Sequence, residues 1–456
     1  METLNNIVLT IQNYMSNYVL IIALLGAGLW FSFRLGFIQV RGFGEGMRRT
    51  FGGLFSKKGE AGADGMSSFQ ALATAIAAQV GTGNIAGAAT ALAIGGAGAI
   101  FWMWIAAFLG MATIYAEALM AQKYKTVGAD GQVTGGPVYY IRAAFKGTFG
   151  KVLAGIFAVL ITLALGFMGN AVQSNSIAAA FHTAFGIPQW IMGLVVAVIA
   201  IFVFMGGMKR IAKVTETIVP LMAALYIIGS LIVIIYNYKN IPYAFASIFV
   251  GAFAPQSVVG GAAGATVKLA LTKGVARGLF SNEAGMGSTP HAHAVAKVEH
   301  PVEQGFVAMI GVFIDTFVIL NLTALVIITT QSIPTGLTGT ALSQYAFSSV
   351  FGKFGNVFIA ICMFFFAFST IIGWYFFGQA NVKYLFGKNA VKPYAVLVSL
   401  CVLLGSLAQV DLVWNMADCF NSLMVIPNIL ALFFLSSQMK ELHDDYYHNF
   451  LKNKKV

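Results

Sequence analysis

Runs of about twenty predominantly apolar residues recur along the chain, and each is long enough to cross a bilayer as a helix. Short polar or glycine-rich segments separate them. The pattern predicts about eleven membrane spans, numbered one to eleven below: residues 18–37, 68–96, 99–121, 152–181, 188–204, 217–236, 265–296, 305–329, 354–379, 393–409 and 420–439. We therefore expect an all-α integral membrane protein.

Spans two and seven are interrupted halfway, by Gly81-Thr82-Gly83-Asn84 and by a segment within RGLFSNEAGMGSTPHAHA. An unpaired backbone group costs several kcal/mol in hydrocarbon, so broken backbone at mid-membrane indicates a polar cavity. One half-helix ends there in free carbonyls, which suit a cation, and the next begins with free N–H groups, which suit an anion. Close packing by small residues is the structural alternative, but polar neighbours such as Gln79 favour a binding site. The loose G-x-G-x-x-A match at Gly81 lacks the strand that a nucleotide site requires.

Composition and charge support this class. Hydrophobic residues make up 58% of the chain and charged residues 9%, and the mean hydropathy is +0.81. The net charge of +11 reflects topology, since 22 of the 27 lysines and arginines follow spans one, three, five, seven and nine or lie in the C-terminal tail. The positive-inside rule then places the N-terminus outside and the C-terminus in the cytoplasm. We expect no nucleic-acid partner, and the three scattered cysteines predict neither a metal site nor a disulfide framework.

The two interrupted spans each begin a group of five spans. Residues 18–37 form an extra first helix, residues 68–238 a first half, residues 262–439 a second half, and residues 440–456 a cytoplasmic tail. Because five is odd, the two halves have opposite orientations in the membrane. Broken helices at corresponding positions of inverted halves indicate a secondary transporter.

The motifs GTGNIAGAATAL and GLFSNEAGMGSTPHAHA resemble those of the alanine or glycine:cation symporter family, which includes the sodium:alanine symporters of prokaryotes. This family lies in the amino acid–polyamine–organocation superfamily, and the resemblance covers nearly the whole chain. It implies a leucine-transporter-type (LeuT-type) fold of five plus five inverted helices with one extra N-terminal helix. It also implies sodium-driven uptake of alanine or glycine across the cell membrane, with sodium as co-substrate and no cofactor.

The resemblance implies that spans two, four, seven and nine meet at the site. Sodium would bind the carbonyls of Ala77, Val80 and Phe366 and the hydroxyls of Ser369 and Thr370. The substrate would bind next to them; its carboxylate would take the N–H groups of Thr82 and Gly83, and the other substrate contacts would come from Gln79, Asn170, Phe167, Phe280 and Trp374.

Several of these residues have alternative structural roles that the sequence leaves open. Asn170 in a membrane helix can hydrogen-bond to a neighbouring helix, and the Ser369-Thr370 pair can hydrogen-bond to its own helix. The aromatic rings of Phe167 and Trp374 could be ordinary packing.

Charged and polar groups near the breaks predict structural or gating roles. Glu283 is an acid within the membrane, and such residues are functional by default. We expect it to hold the unwound backbone of span seven through its N–H groups, or alternatively to carry a proton. Asn84 is expected to support the first break, Arg277 to form an outer gate with an acid such as Asp411, and Glu117 to pair with a neighbour near the cytoplasmic end.

The predicted function is sodium-coupled symport of small neutral amino acids by alternating access, with proton coupling through Glu283 as the alternative. An intramembrane enzyme is a distant alternative, because it would need a nucleophile with its base or a metal cluster at mid-depth. His291 and His293 with Glu299 and His300 could be drawn as a metal site, but their spacing does not fit a helix face, so surface or interfacial histidines are expected. The predicted partners are alanine, glycine, sodium and the lipid bilayer.

Overall fold

Helices account for nearly all of the structure, a computed structural model that describes residues 10, 14–52, 65–128, 131–254, 266–407 and 410–453. The only sheet in these residues is a two-stranded antiparallel hairpin of β1 (Thr126–Val127) and β2 (Val133–Thr134), with Thr126 opposite Thr134. The helices in chain order are α1 Leu20–Arg34, α2 Ile38–Arg41, α3 Phe43–Phe51, α4 Ser68–Gln79, α5 Gly83–Gly95, α6 Gly98–Lys123, α7 Pro137–Ala144, α8 Gly147–Phe185, α9 Gln189–Phe204, α10 Gly207–Tyr236, α11 Ile241–Phe253, α12 Val267–Asn282, α13 Pro290–Ala294, α14 Pro301–Thr329, α15 Gly339–Phe351, α16 Lys353–Phe386, α17 Val391–Gly405, α18 Val410–Phe434 and α19 Ser436–Asp445.

Some segments wind more loosely or more tightly than an α-helix. The π-helical segments are Met15–Val19 before α1, Gly83–Gly87 in α5, Thr162–Gly169 in α8, Phe313–Leu320 in α14 and Tyr446–Phe450 after α19. The 3₁₀ turns are Tyr238–Asn240, Ile333–Thr335 and Lys388–Ala390, and a last turn covers Leu451–Asn453.

The all-α membrane architecture predicted from the apolar runs is confirmed. Seven helices within the described residues are long and apolar enough to cross a membrane. Large apolar side chains remain exposed on outward faces, including Phe202, Ile235 and Phe434, each 65% exposed. That exposure suits a surrounding of lipid tails better than water. The total of eleven spans stays a prediction, because several apolar helices, such as α1 and α9, are shorter than a full span.

Both predicted interruptions are present as pairs of half-helices, α4 with α5 and α12 with α13. A capping box starts α4, in which the Ser67 hydroxyl accepts from Gln70 N–H at 3.1 Å and the Gln70 side chain accepts from Ser67 N–H at 3.1 Å. The Thr266 hydroxyl starts α12 by accepting from Leu269 N–H at 3.1 Å. Each first half-helix therefore begins at a side-chain cap and stops short of a full membrane crossing.

Helices α7, α11 and α15 were not predicted. They have 8, 13 and 13 residues, which is too short to register as a membrane span. The last predicted span, 420–439, is shifted: α18 runs over Val410–Phe434 and a separate helix starts at Ser436. The polar residues Asp411, Asn415 and Asp418 hide the beginning of α18 from a search for apolar runs.

Candidate substrate and ion site

The first break is stabilised by side chains rather than by helical hydrogen bonds. Gly81 N–H donates to Asn84 Oδ1 at 3.0 Å, and Thr82 N–H donates to Gln173 Oε1 of α8 at 3.1 Å. In a continuous helix, Gly81 N–H would bond to the carbonyl of Ala77. Because Asn84 takes that N–H, the Ala77 carbonyl is left free of its helical partner.

Five oxygens from α4 and α16 converge beside this free carbonyl. Ser369 Oγ and Thr370 Oγ1 lie 2.9 and 3.0 Å from Phe366 O, which is ordinary bonding to their own helix. Ser369 Oγ also lies 3.4 Å from Ala77 O, and Thr370 Oγ1 lies 2.9 Å from Ala77 O and 3.5 Å from Val80 O. Two hydroxyl hydrogens cannot serve all five approaches, so some of these oxygens face one another without a hydrogen between them. A cluster of close, mutually facing oxygens is the donor set that a hard cation prefers.

The second break begins where Glu283 takes a left-handed backbone conformation with φ 58°. Two N–H groups that follow bond to an acid on another helix. Gly285 N–H and Gly287 N–H donate to the Glu117 carboxylate of α6 at 3.0 and 2.9 Å. Glu117 is fully buried, and it therefore fixes the unwound segment between α12 and α13.

Glu283 does not fill the backbone role expected of it. Its carboxylate accepts from the Ser288 hydroxyl at 2.5 Å and from the indole N–H of Trp374. The role of holding unwound N–H groups falls to Glu117 instead, because that acid lies on the helix packed against the break. Glu283 links the break to α16 through the Trp374 ring.

The two breaks are joined by Asp315, an acid of α14 that sequence reasoning missed. Its carboxylate accepts from Asn84 Nδ2 at 2.7 Å, from Ser281 Oγ at 3.0 Å and from Thr316 Oγ1 at 2.8 Å. Asn84 belongs to the first break and Ser281 to the last turn of α12 before the second, so one buried carboxylate connects the two regions. A single acid within the apolar run of span eight was the sequence signal, since intramembrane acids are functional by default.

Aromatic and amide side chains enclose the space between the breaks. Gln79 Nε2 donates to Asn282 O at 2.7 Å, which ties α4 to the end of α12. The Trp374 ring packs edge-on against Phe280, with centroids 5.9 Å apart, and a Cβ at Gly169 would lie 2.5 Å from the same indole. The Trp374 ring of α16 is therefore packed between α8 and α12.

The two candidates on α8 contact their own helix and α17. Asn170 is buried and donates to Gly166 O at 3.1 Å. The Phe167 ring packs edge-on against Tyr394 of α17, with centroids 5.6 Å apart. Phe167 lies in the π-helical segment, whose wider turn changes the angle between residues three apart. The described ring contact of Phe167 is thus with α17 rather than with either break.

Four buried polar atoms of the residues that form or adjoin this region have no hydrogen-bonding partner within the described part of the chain. They are Gln79 Oε1, Thr82 Oγ1, Asn170 Oδ1 and Ser174 Oγ. Buried polar atoms are normally paired, and each exception calls for a reason. A bound polar molecule would give one.

Arg277 lies on α12, before the second break, and faces α18. Its guanidinium is 3.2 Å from the Asp418 carboxylate and 5.1 Å from the centre of the Trp414 ring. The partner acid is thus Asp418 of α18; the side chain of Asp411, which was suggested as the partner, lies outside the described residues. The ion pair lies close to Phe280, whose ring centre is 6.0 Å from the guanidinium.

The histidines expected at the surface or at the membrane interface are buried within the protein instead. His291 and His293 are each 1% exposed. His291 Nε2 accepts from Asn381 Nδ2 at 2.8 Å, and its Nδ1 donates to Ser288 O at 2.7 Å, which makes it a neutral ring paired on both sides. The described residues contain no group of three or more His, Cys, Asp or Glu side chains able to hold a metal ion.

The comparisons with known proteins bear on this arrangement. The family model described as the sodium:alanine symporter family matches residues 1–456. The chain belongs to this family. It is a multi-pass membrane protein of a family of sodium-coupled amino-acid symporters, as the motifs predicted.

Relatives of this symporter differ in the substrates that their names give. The chain is 40% identical to "Sodium/alanine symporter AgcS" of Methanococcus maripaludis, over 94% of each chain. It is 42% identical to "Probable sodium/glutamine symporter GlnT" of Bacillus subtilis, over 98% of this chain and 91% of that protein. Membership of the family thus leaves the substrate of this symporter open.

The fold of the symporter is shared with a distant transporter. The crystal structure of a mutant manganese transporter of Eremococcus coleocola superposes with a TM-score of 0.53 over 87% of this chain and 92% of that one, at 12% identity. At this identity the likeness concerns the fold alone.

Proposed function

We propose that this chain is a secondary active symporter that couples inward sodium movement to the uptake of small neutral amino acids, alanine and glycine first. The observation that carries the proposal is the oxygen cluster of Ala77, Val80, Phe366, Ser369 and Thr370 next to the unwound N–H groups of the first break. The cluster would bind the sodium ion. Its three backbone carbonyls and two hydroxyls carry no net charge, so one bound cation stays uncompensated until an anion arrives.

The substrate carboxylate would supply that anion. The N–H groups of Thr82 and Gly83 open the second half-helix of the first break, and helix N-termini favour anions. Gly83 lies against the second break, where a Cβ would be 3.2 Å from Ser281 Cα. The amino acid would therefore bind at the crossing of the two breaks, with its ammonium group beside acceptors such as Gln79 Oε1.

Substrate size is set in this proposal by the groups that close the space. Trp374 and Phe280 form an apolar wall, and Gly169 leaves no room for a side chain beside the indole. We expect a hydrogen or a methyl group to be accommodated beside these rings, whereas a longer side chain would displace the indole. Because relatives are named for substrates of different size, alanine and glutamine, we propose that this wall determines substrate selectivity.

Transport would proceed by alternating access around the two breaks. The site residues are buried, Gln79 and Trp374 at 2% exposure and Thr82, Ser369 and Thr370 at 0%, so a substrate would need the site to open before it could bind. Opening toward the outside would separate Arg277 from Asp418. The N-terminus would face the outside and the C-terminus the cytoplasm, as the distribution of basic loops predicts.

One sodium ion is sufficient for concentrative uptake. A zwitterionic amino acid carries no net charge, so each cycle moves one positive charge inward. That charge yields about 2.3 kcal/mol per 100 mV, which supports roughly a fiftyfold gradient before the sodium gradient is counted.

The alternative is proton coupling through Glu283. The Glu283 carboxylate accepts hydrogen bonds from the Ser288 hydroxyl and the Trp374 indole. An acid that accepts two hydrogen bonds from neighbouring side chains is suited to holding those side chains in place. This contact favours the structural role. Glu283→Gln should therefore leave alanine uptake with the same pH dependence as the wild type, and loss of a pH-dependent step would support the proton model.

Substrate competition tests the proposal. Uptake of labelled alanine would be measured in proteoliposomes that contain the purified protein, with sodium outside. Unlabelled glycine, serine, glutamine and leucine would be added in turn as competitors. We expect strong competition by glycine, weaker competition by serine and little by leucine. No uptake in sodium, or competition by leucine as strong as by glycine, would contradict the proposal.

A further inference from the structure

Gln173 reaches from α8 to the backbone group that would bind the substrate carboxylate. The side chain is 1% exposed, and its Oε1 accepts from Thr82 N–H at 3.1 Å. A Cβ at Gly81 would lie 3.2 Å from the same oxygen. An amide oxygen thus occupies the N–H at the start of the second half-helix, where an anion is expected.

The same oxygen lies next to the proposed sodium cluster. A Cβ at Gly81 would lie 3.1 Å from Thr370 Cβ and 3.2 Å from Gln173 Oε1. Thr370 and Gln173 are therefore separated by a gap of about one methyl group at Gly81. Gln173 Oε1 therefore lies beside the proposed sodium cluster, although its hydrogen bond goes to the substrate backbone contact at Thr82.

A substrate carboxylate and the Gln173 oxygen cannot both accept from Thr82 N–H. A single N–H directs its hydrogen at one acceptor, and two oxygens placed at hydrogen-bonding distance from it repel one another. A charged acceptor forms the stronger hydrogen bond, so the carboxylate would displace the neutral amide. The displaced side chain then presents its own amide N–H₂ as a donor.

We propose that Gln173 is a built-in substitute for the substrate carboxylate, which holds Thr82 N–H while no amino acid is bound and is displaced when one arrives. This inference rests on the proposed function. It makes Gln173 a positioning residue that keeps the first break ordered between transport cycles. It also sets the affinity for amino acids, because each bound substrate must first replace the Gln173 hydrogen bond.

Two substitutions separate this role from simple bracing of the helices. Gln173→Glu places a carboxylate where the amide now lies. This carboxylate competes with the substrate carboxylate for Thr82 N–H at a high effective concentration and repels its negative charge. We expect alanine binding to weaken at least about tenfold, while sodium binding is kept or becomes tighter. Gln173→Met removes the oxygen at similar size, so alanine binding should tighten about two- to tenfold because one neutral hydrogen bond no longer competes.

The measurements are sodium-dependent thermal shift and equilibrium binding of labelled alanine on purified full-length protein. Ser176→Ala is the control, since the Ser176 hydroxyl bonds to Val172 O of its own helix at 3.0 Å; it should leave both affinities unchanged. Retained sodium binding shows that a variant is folded, and if Gln173→Glu does not fold, the Gln173→Met result decides.

The outcomes are distinguishable. Opposite changes in alanine affinity in the two variants, with sodium binding kept, support the inference. The inference is overturned if the wild type binds alanine but both variants lose sodium and alanine affinity together. It is also overturned if neither affinity changes in the variants. Either result leaves the proposed function intact. A wild type that binds no alanine in sodium overturns the proposed function and the inference with it.

Discussion

The sodium cluster makes a quantitative prediction for Thr370→Val. Valine matches threonine in shape, so the substitution removes Thr370 Oγ1 and leaves the packing in place. That oxygen approaches Ala77 O at 2.9 Å, Phe366 O at 3.0 Å and Val80 O at 3.5 Å. Of the two hydroxyls, that of Thr370 alone lies close to all three carbonyls, since that of Ser369 lies close to two. Removal of the Thr370 hydroxyl leaves four of the five expected sodium ligands.

The magnitude follows from the energy of a single polar contact to a charge. Such a contact contributes about 1.5–3 kcal/mol, which corresponds to roughly ten- to hundredfold in a dissociation constant. Protein stability without sodium should change little, because in that state the hydroxyl can bond to its own helix, which adds little net stability. The expected result is therefore a rightward shift of the sodium titration by about one to two decades.

The assay is binding of labelled alanine to purified protein as a function of sodium concentration. Thr162→Val is the matched control, since Thr162 is a buried threonine whose hydroxyl bonds to Ala158 O of its own helix at 2.7 Å. Ser369→Ala combined with Thr370→Ala should abolish the sodium dependence. A sodium midpoint in Thr370→Val equal to that of the control would refute the assignment of the cluster as the sodium site.

Three further predictions concern groups around the site and the tail. In Asp315→Asn, an amide N–H₂ would face the hydrogen-bond donors that now bond to the Asp315 carboxylate, so sodium and alanine should each bind at least about tenfold more weakly. Unchanged sodium and alanine titrations would argue against the bridge between the breaks. Glu117→Gln loses one backbone partner and should lower the unfolding free energy by about 1–3 kcal/mol, measured by thermal unfolding, with an unchanged midpoint as the contrary result. Burial lowers the pKa of His443 to about 4. Its neutral ring therefore stabilises the fold fully above about pH 6.5 and less as the pH falls toward 4; His443→Gln should flatten the loss of melting temperature between about pH 7 and 5, and an equally steep loss would contradict this.

The elements governed by local chemistry could be predicted from the sequence. Glycines within an apolar run mark a break, and the family resemblance supplied the carbonyls and hydroxyls that would surround sodium. The structure brings Ala77, Val80, Ser369 and Thr370 together, and the Ala77 carbonyl is open to this contact because Asn84 takes the Gly81 N–H. That local exchange of hydrogen bonds is encoded within a few residues of the break.

Long-range pairing could not be predicted in the same way. Which acid holds the second break depends on how α6 packs against it, so Glu117 takes the backbone contacts that were expected of Glu283. Asp315 and Gln173 act through groups far away in the chain, on the first break. The ring contact of Phe167 with Tyr394 could not be read from a period of 3.6 residues either, because a π-helical segment turns less per residue.

Uptake of labelled alanine into proteoliposomes, with a sodium gradient imposed in one set of vesicles and a proton gradient in a matched set, tests the central claim most directly. The account predicts accumulation driven by the sodium gradient alone, increased by an inside-negative potential and reduced in Thr370→Val but not in Thr162→Val. Accumulation driven by the proton gradient alone would contradict sodium coupling at the oxygen cluster and would move the coupling role to a buried acid such as Glu283.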